Sequence, residues 1–103
     1  MGTVEERFGL ALQLRRAAVS IPSNIAAGFG YGTNRRYVHH LRIAMGSDSE
    51  LQTQLARIER LSLAPASELR PLCELASRVG RMLNGLIGAL KRHRARQSRR
   101  PSP

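Results

Sequence analysis

Apolar residues recur at steps of three and four along most of the chain, which predicts amphipathic helices rather than strands. The first such run is Phe8, Leu10, Leu14, Ala17, Ala18, Ile21, Ile25 and Phe29. A capping-box pattern, Thr3 to Glu6, places the start of this helix near Val4. The glycine-rich segment 28–34 ends it. Pro22 falls inside the run, but the apolar phase continues beyond it. We therefore expect one kinked helix rather than two.

Short polar side chains surround Pro22 in this predicted helix. A proline removes one backbone donor and crowds the carbonyl group four residues earlier, here that of Ala18. Ser20, Ser23 and Asn24 can hydrogen-bond to nearby backbone groups. We interpret Ser20 and Asn24 as satisfying the backbone carbonyls at a structural kink rather than as recognition residues.

Two further helices are expected. The second runs from about Arg35 to about Leu61, and Thr33 or Asn34 caps it. Its apolar seam consists of Val38, Leu41, Ala44 or Met45, Leu51, Leu55, Ile58 and Leu61, and Asp48 interrupts it. The third helix follows Ser67 as its N-cap. The seam of the third helix consists of Leu72, Leu75, Ala76, Val79, Leu83, Leu86 and Leu90.

These elements predict an all-α, antiparallel up-and-down helical bundle. Residues 1–92 form the bundle domain, and residues 93–103 form a basic tail that we expect to be disordered, because it has no apolar periodicity. Small residues on a helix face permit close approach of another helix. We therefore interpret Gly46 with Ser47, Gly80 and Gly85 as positions where helices cross closely.

The charge is strongly positive and uneven. The chain carries 17 basic and 7 acidic residues, a net charge of +10. Six of the basic residues follow residue 90 with no acid among them. Sixteen of the 17 basic residues of the chain are arginine. Arginine favours bidentate phosphate contacts, but its abundance is equally typical of a GC-rich genome. The candidate phosphate-binding residues are Arg15, Arg16, Arg35, Arg36, Arg42, Lys91, Arg92, Arg94, Arg96, Arg99 and Arg100. Aromatic residues are few, so base stacking is not expected to contribute much. Binding to RNA or DNA should depend on contacts with the phosphate backbone of the nucleic acid and be weakly sequence-specific.

A family resemblance lies in one ordered set of short motifs. They are Gly9-Leu10, Gln13-Leu14, Arg16-Ala17, Ser20–Ala26, Gly28-Phe29-Gly30, Leu41–Ala44, Gly46-Ser47 and Glu50-Leu51, with weaker similarity at Arg81–Ile87. In this order and at this spacing the chain resembles a bacterial family of small four-helix-bundle proteins. The family includes ribosomal RNA intervening-sequence proteins and the accessory variability protein of diversity-generating retroelements. The resemblance covers roughly residues 5–91.

The resemblance implies a four-helix bundle whose first amphipathic helix precedes the matching segment. Here only Met1 to Val4 precede it, so we expect the three helices to correspond to the last three of the family. This reflects either a natural truncation or a misassigned start codon. The three helices either close on one another or leave an apolar groove for a partner helix. The resemblance also implies a homo-oligomer, a ring-like pentamer. For the retroelement branch, it implies a reverse transcriptase as a partner and nucleic-acid binding.

Enzymatic chemistry is not expected. The seven acids are scattered, and the adjacent His39 and His40 diverge on a helix, so no catalytic residue, metal site, cofactor or small-molecule substrate is predicted. The lone Cys73 lies on an apolar face and is interpreted as a packed residue. No apolar run approaches the roughly 18 residues of a membrane span, and no signal pattern is present, which predicts a cytoplasmic protein without membrane contact.

Two functions therefore remain. The first is a non-enzymatic oligomeric scaffold that binds RNA or DNA through arginine-rich surfaces, as an accessory to a reverse transcriptase in one branch of the family. The alternative is a protein–protein interaction module of the intervening-sequence type that does not bind nucleic acid.

Overall fold

The fold consists of three long helices, as the periodicity predicted. A computed structural model describes residues 3–98. Helix α1 spans Val4–Gly30, α2 spans Asn34–Arg60 and α3 spans Ala66–Ser98. No strand occurs within residues 3–98. The predicted all-α class is confirmed, and α1 continues as one helix through Pro22.

Local hydrogen bonds explain where the first two helices begin. The backbone N–H of Glu6 donates to Thr3 Oγ1 at 3.1 Å, and the N–H of Thr3 donates to Glu6 Oε2 at 3.3 Å, which completes the predicted capping box. Of the two predicted caps for α2, Thr33 is the one used, since its hydroxyl accepts from the N–H of Arg36. The preceding turn requires Gly32, whose φ is +74°.

Helix α3 differs from prediction at both ends. It begins at Ala66, and the N–H groups of Glu68 and Leu69 donate to the carbonyl of Pro65. Ser67 therefore lies in the first turn, and its prediction as the N-cap is wrong. At the other end the helix continues through residues 93–98, where we expected a disordered tail. Arginine, alanine and glutamine are good helix formers, and each added residue extends an existing ladder of hydrogen bonds. Residues 99–103 lie outside the described part.

The helices pack antiparallel in chain order. Ser20 of α1 meets Ser47 of α2, and Asp48 of α2 meets Gly80 of α3. Helices α1 and α3 both pack on α2, but no Cα atom of α1 lies within 8 Å of one in α3. The molecule extends over 66 × 21 × 13 Å. It is therefore closer to a layer of three helices than to a closed cylinder.

The core has two parts along this layer. Buried residues of the larger part are Ile21, Leu41, Ala44, Leu83 and Ile87, and those of the smaller part are Leu55, Leu69 and Ala76. Burying each large aliphatic side chain contributes roughly 1.5–3 kcal/mol. Asp48 falls between Ala44 and Leu55 on α2 and is itself 2% exposed.

The predicted apolar seam of α3 combines two stripes of the helix. The stripe that packs on α2 contains Leu69, Ala76, Leu83 and Ile87, all buried. Three residues of the predicted seam, Leu72, Leu75 and Leu86, are exposed on a second stripe. Because apolar residues cover a broad arc of α3, periodicity alone does not separate a covered stripe from an uncovered one.

Glycines mark close approaches at fewer positions than expected. A Cβ atom at Gly80 would lie 2.8 Å from Asp48 Oδ2, and one at Gly28 would lie 2.7 Å from His40 Cβ. At Gly85 nothing lies within 4 Å, so the predicted close crossing there is wrong. The predicted crossing at Gly46 with Ser47 occurs through Ser47, since nothing lies within 4 Å of Gly46. Gly46 is exposed, while its neighbour Ser47 is buried against α1.

Candidate nucleic-acid interface

A basic cleft lies where the start of α2 meets the last turns of α3. Its volume is about 330 Å³. The residues lining it are Asn34, Arg35, Val38, His39, Arg42, Leu90, Lys91 and Arg94. Four of these carry a fixed positive charge, and none is acidic. The cleft is therefore a local concentration of positive charge with no acid in its lining.

Helical spacing explains how the cleft is built. Arg35, His39 and Arg42 follow one another at steps of four and three, which places them on one face of α2. Lys91 and Arg94, three residues apart, share a face of α3. The antiparallel packing of Leu41 against Leu83 and Ile87 aligns these two faces. Apolar residues Val38 and Leu90 lie between the charges and keep the two helices in contact.

The amino end of α2 adds to this positive potential. The first turn of a helix has backbone N–H groups without intrahelical partners, and its macrodipole favours an anion there. Asn34 is the first residue of α2 and lines the cleft together with Arg35. The cleft therefore combines guanidinium and ammonium groups with a helix N-terminus, both of which suit phosphate oxygens.

Arg36 is held in a different position, beside the α1–α2 turn. Its guanidinium carbon lies 4.8 Å from the centre of the Tyr31 ring. The Tyr31 ring also stacks on His40, with centroids 5.3 Å apart and planes 17° apart. Both groups therefore pack on Tyr31, which limits its access to a nucleic-acid base.

The remaining predicted basic residues do not join the cleft. Arg16 lies in a separate depression with Gln13, Glu50 and Gln54, and Arg15 is exposed on α1. Arg92 lies beside Gly88 of its own helix, and Arg96 is exposed near the end of α3. Arg99 and Arg100 lie outside the described residues.

Two residues of the cleft were missed by sequence reasoning, namely Asn34 and His39. The sequence predicts Asn34 only as an alternative cap of α2, and it predicts no site role for His39, which diverges from His40 on the helix. The spacing of His39 from Arg35 and Arg42 was the available signal for its position.

The residues near Pro22 form a polar contact between α1 and α2. Ser47 Oγ donates to Ser20 Oγ at 2.7 Å, and Asn24 Nδ2 donates to the same hydroxyl at 3.1 Å and to the Ser20 carbonyl at 2.9 Å. Asn24 Oδ1 lies 3.1 Å from Nδ1 of His40, which acts as the donor. The amide therefore serves the carbonyl of Ser20 rather than that of Ala18, and it also joins the two helices.

Two other kinds of feature are absent from the described part of the chain. Within residues 3–98, no three His, Cys, Asp or Glu side chains come close enough to share a metal ion. None of the three helices in this range combines the length and apolar character needed to cross a membrane.

Comparison with known proteins identifies the family. Among curated proteins, none matches this chain. The family model described as 23S rRNA-intervening sequence protein matches residues 2–85, which is most of the chain and includes all of α1 and α2. The three long helices of the described residues agree with the all-α class that the resemblance implied. The chain therefore belongs to the 23S rRNA-intervening sequence protein family.

Proposed function

We propose that this protein is a non-enzymatic scaffold that binds the phosphate backbone of RNA or DNA in the basic cleft between α2 and α3. The observation that carries the proposal is the convergence of Arg35 and Arg42 with Lys91 and Arg94, residues about fifty positions apart in sequence, in a cleft without acids. Neutralising phosphates with such groups releases counterions and supplies sequence-independent affinity.

The aromatic residues support a backbone-led mode of binding. Tyr31 packs against both Arg36 and His40, and Tyr37 is partly buried with its ring against Phe29. Near the turn, Phe29 is 73% exposed and Tyr31 is 51% exposed, the latter with Arg36 and His40 packed on its ring. Because base stacking usually requires several accessible rings, we expect weak sequence preference.

The chemistry of the cleft favours binding over catalysis. Its polar groups are guanidinium, ammonium, imidazole and amide groups. It contains neither a hydroxyl or thiol nucleophile nor a carboxylate to act with His39 as an acid–base pair.

A more specific role is that of an accessory protein to a reverse transcriptase, as in one branch of the resembled family. A reverse transcriptase gene and a template repeat next to the gene of this protein would favour that role.

Two matched double variants test the cleft. Arg35→Gln with Arg42→Gln removes two charges from the cleft, while Arg60→Gln with Arg70→Gln removes two exposed charges elsewhere on the surface. Binding of a labelled single-stranded RNA and a duplex DNA is followed by fluorescence anisotropy between about 50 and 200 mM salt. In a plot of the logarithm of the binding constant against the logarithm of the salt concentration, the cleft variant should have a slope smaller in magnitude by about 1.5. Its affinity should be lower by about tenfold or more. The control should change the slope by less than about 0.5.

A third variant separates the cleft from the tail. Deleting residues 95–103 removes Arg96, Arg99 and Arg100 but retains Lys91 and Arg94, and it should preserve most of the affinity. Equal losses in the two double variants would mean diffuse attraction and would contradict a defined cleft. Absence of binding in the unmodified chain would instead favour the protein–protein interaction module.

A further inference from the structure

One titratable side chain, His39, lies in the basic cleft among the fixed positive charges. On its own helix, His39 follows Arg35 by four residues and precedes Arg42 by three. The wall of the cleft that α3 provides carries Lys91 and Arg94. His39 is exposed. The imidazole therefore borders the same space as four permanent cations and is open to a ligand that enters it.

Acidic side chains lie far from this imidazole along the described lengths of α2 and α3. The nearest acid on α2 is Asp48, nine residues from His39, a rise of about 13 Å. The nearest acid on α3 is Glu74, 17 residues before Lys91, a rise of about 25 Å. Helix α1 contributes no residue to the lining of the cleft. Because exposed charges more than about 8–10 Å apart are largely screened at physiological salt, the charges of the protein that act on His39 are positive.

The neighbouring histidine is engaged elsewhere. The ring centroid of His40 lies 5.4 Å from that of His39. However, Nδ1 of His40 lies 3.1 Å from Asn24 Oδ1, and its ring stacks on Tyr31. His40 is half-buried and does not line the cleft. His39 is therefore the imidazole that a ligand of the cleft can contact.

A phosphate in the cleft would distinguish the two protonation states of this ring. Histidine is the side chain whose ordinary charge change falls between about pH 5 and 8. The imidazolium form offers two N–H donors and a positive charge, whereas the neutral ring offers one donor and one acceptor nitrogen. Phosphate oxygens only accept hydrogen bonds, and a nearby negative charge favours the charged form of histidine. Since the lining holds no anion, the ligand is what supplies that charge.

We infer that His39 is a proton-dependent phosphate ligand of the cleft, so that binding of RNA or DNA is accompanied by uptake of a proton. The inference rests on the proposed nucleic-acid binding and names the residue that makes this binding depend on pH. Because the complex holds more protons than the free protein, the affinity rises as the pH falls through the range in which histidine titrates.

The pH dependence of binding is measured with the full chain and a labelled oligouridylate that has hydroxyl ends. A terminal phosphate is avoided because it would itself titrate near pH 6, by about the same value as a phosphorylated side chain. Fluorescence anisotropy should show binding about tenfold tighter at pH 5.5 than at pH 8. The slope of the salt plot should be larger in magnitude by about 0.7 at the lower pH, since one more phosphate is neutralised.

Three variants assign this pH dependence to one residue. His39→Gln should bind at both pH values with the affinity that the unmodified protein has at pH 8, within about twofold. His39→Arg carries a permanent charge, so it should bind at both pH values about as tightly as the unmodified protein does at pH 5.5. His93→Gln is the matched control, because His93 is exposed on α3 but does not line the cleft, and it should keep the tenfold change. Circular dichroism at both pH values checks that all variants remain helical.

Calorimetry measures the proton itself. Near pH 6.5, titrations in two buffers with different enthalpies of ionisation should give different heats of binding for the unmodified protein and equal heats for His39→Gln. Equal heats for the unmodified protein would mean that no proton is taken up and would overturn the inference.

The outcomes separate this inference from the proposed function. Absence of binding by the unmodified protein at both pH values would contradict both. Binding of equal affinity at the two pH values would leave nucleic-acid binding standing and overturn the role of His39. A pH dependence that persists in His39→Gln, or that is lost in His93→Gln, would also overturn that role.

Discussion

Ser47 and Asp48 are neighbours on α2, both are buried, and their surroundings differ. Ser47 faces α1, where its hydroxyl joins Ser20, and Asn24 continues the same set of hydrogen bonds to His40. Asp48 faces α3 and lines an apolar groove between α1 and α3, where one carboxylate oxygen has a donor and the other has none within residues 3–98. Around Ser47 the α1–α2 interface satisfies its polar groups within the chain, whereas Asp48, beside this groove, keeps one oxygen unpaired. Farther along the α1–α2 side, near Gln13 and Arg16, Gln54 Oε1 is also buried without a partner among the described residues. The contrast between the two sides of α2 is therefore local to Ser47 and Asp48.

The largest change in the free energy of unfolding is expected at the polar contact between α1 and α2. Asn24→Leu should lower the free energy of unfolding by about 1–3 kcal/mol, because His40 Nδ1 and the Ser20 hydroxyl lose a partner. The measurement is urea denaturation followed by circular dichroism. Ser23→Leu is the control, since Ser23 is exposed in the same turn. Equal stability of the two variants would contradict a structural role for Asn24.

A second substitution tests how closely α1 and α2 approach. A methyl group at Gly28 would lie 2.7 Å from His40 Cβ and 3.1 Å from Tyr37 Cδ1. Gly28→Ala should therefore cost about 1–2 kcal/mol, even though alanine favours the helix. Gly30→Ala is the matched change two residues away, where nothing lies within 4 Å of the added carbon. A melting temperature of Gly28→Ala that equals that of Gly30→Ala would show that the two helices can separate without cost.

On the other side of α2, replacing the buried polar side chain Asp48 should stabilise the fold rather than destabilise it. Asp48→Asn keeps the shape of the side chain but removes a charge that lacks a full set of donors. This change should raise the free energy of unfolding by about 1 kcal/mol. Gln52→Ala should lower it by about 1 kcal/mol, because it removes the donor that Asp48 does have. A loss of stability in Asp48→Asn comparable with that in Asn24→Leu would mean that the two sides of α2 are equivalent.

The smallest effects distinguish two glycines of α3. Gly85→Ala should raise the free energy of unfolding by up to about 1 kcal/mol, since alanine is the better helix former and the site has open space. Gly80→Ala should not raise the free energy of unfolding, because the added carbon would lie 2.8 Å from Asp48 Oδ2. In an Asp48→Ala background, Gly80→Ala should again raise the free energy of unfolding. If Gly80→Ala alone matches Gly85→Ala, the contact between Asp48 and α3 is looser than the distance indicates.

Sequence reasoning succeeded where the cause is local. The capping box at Thr3, the cap at Thr33 and the continuation of α1 through Pro22 depend on residues within one or two turns. It failed at Ser67 and at residues 93–98, because helix ends also depend on how neighbouring backbone groups find partners. Of the eleven basic residues predicted to bind phosphate, the fold brings four together in the cleft.

The sequence by itself determined three helices, their approximate ends and an excess of arginine, because hydrogen bonds within a helix and the 3.6-residue period act over short distances. Only the tertiary structure decided that Arg35 and Arg42 share a cleft with Lys91 and Arg94, since this depends on the register in which Leu41 packs against α3. It likewise decided which apolar stripe of α3 is covered and which remains open beside Asp48. The physical reason is that periodicity identifies apolar faces, whereas the pairing of those faces depends on side chains far apart in the chain.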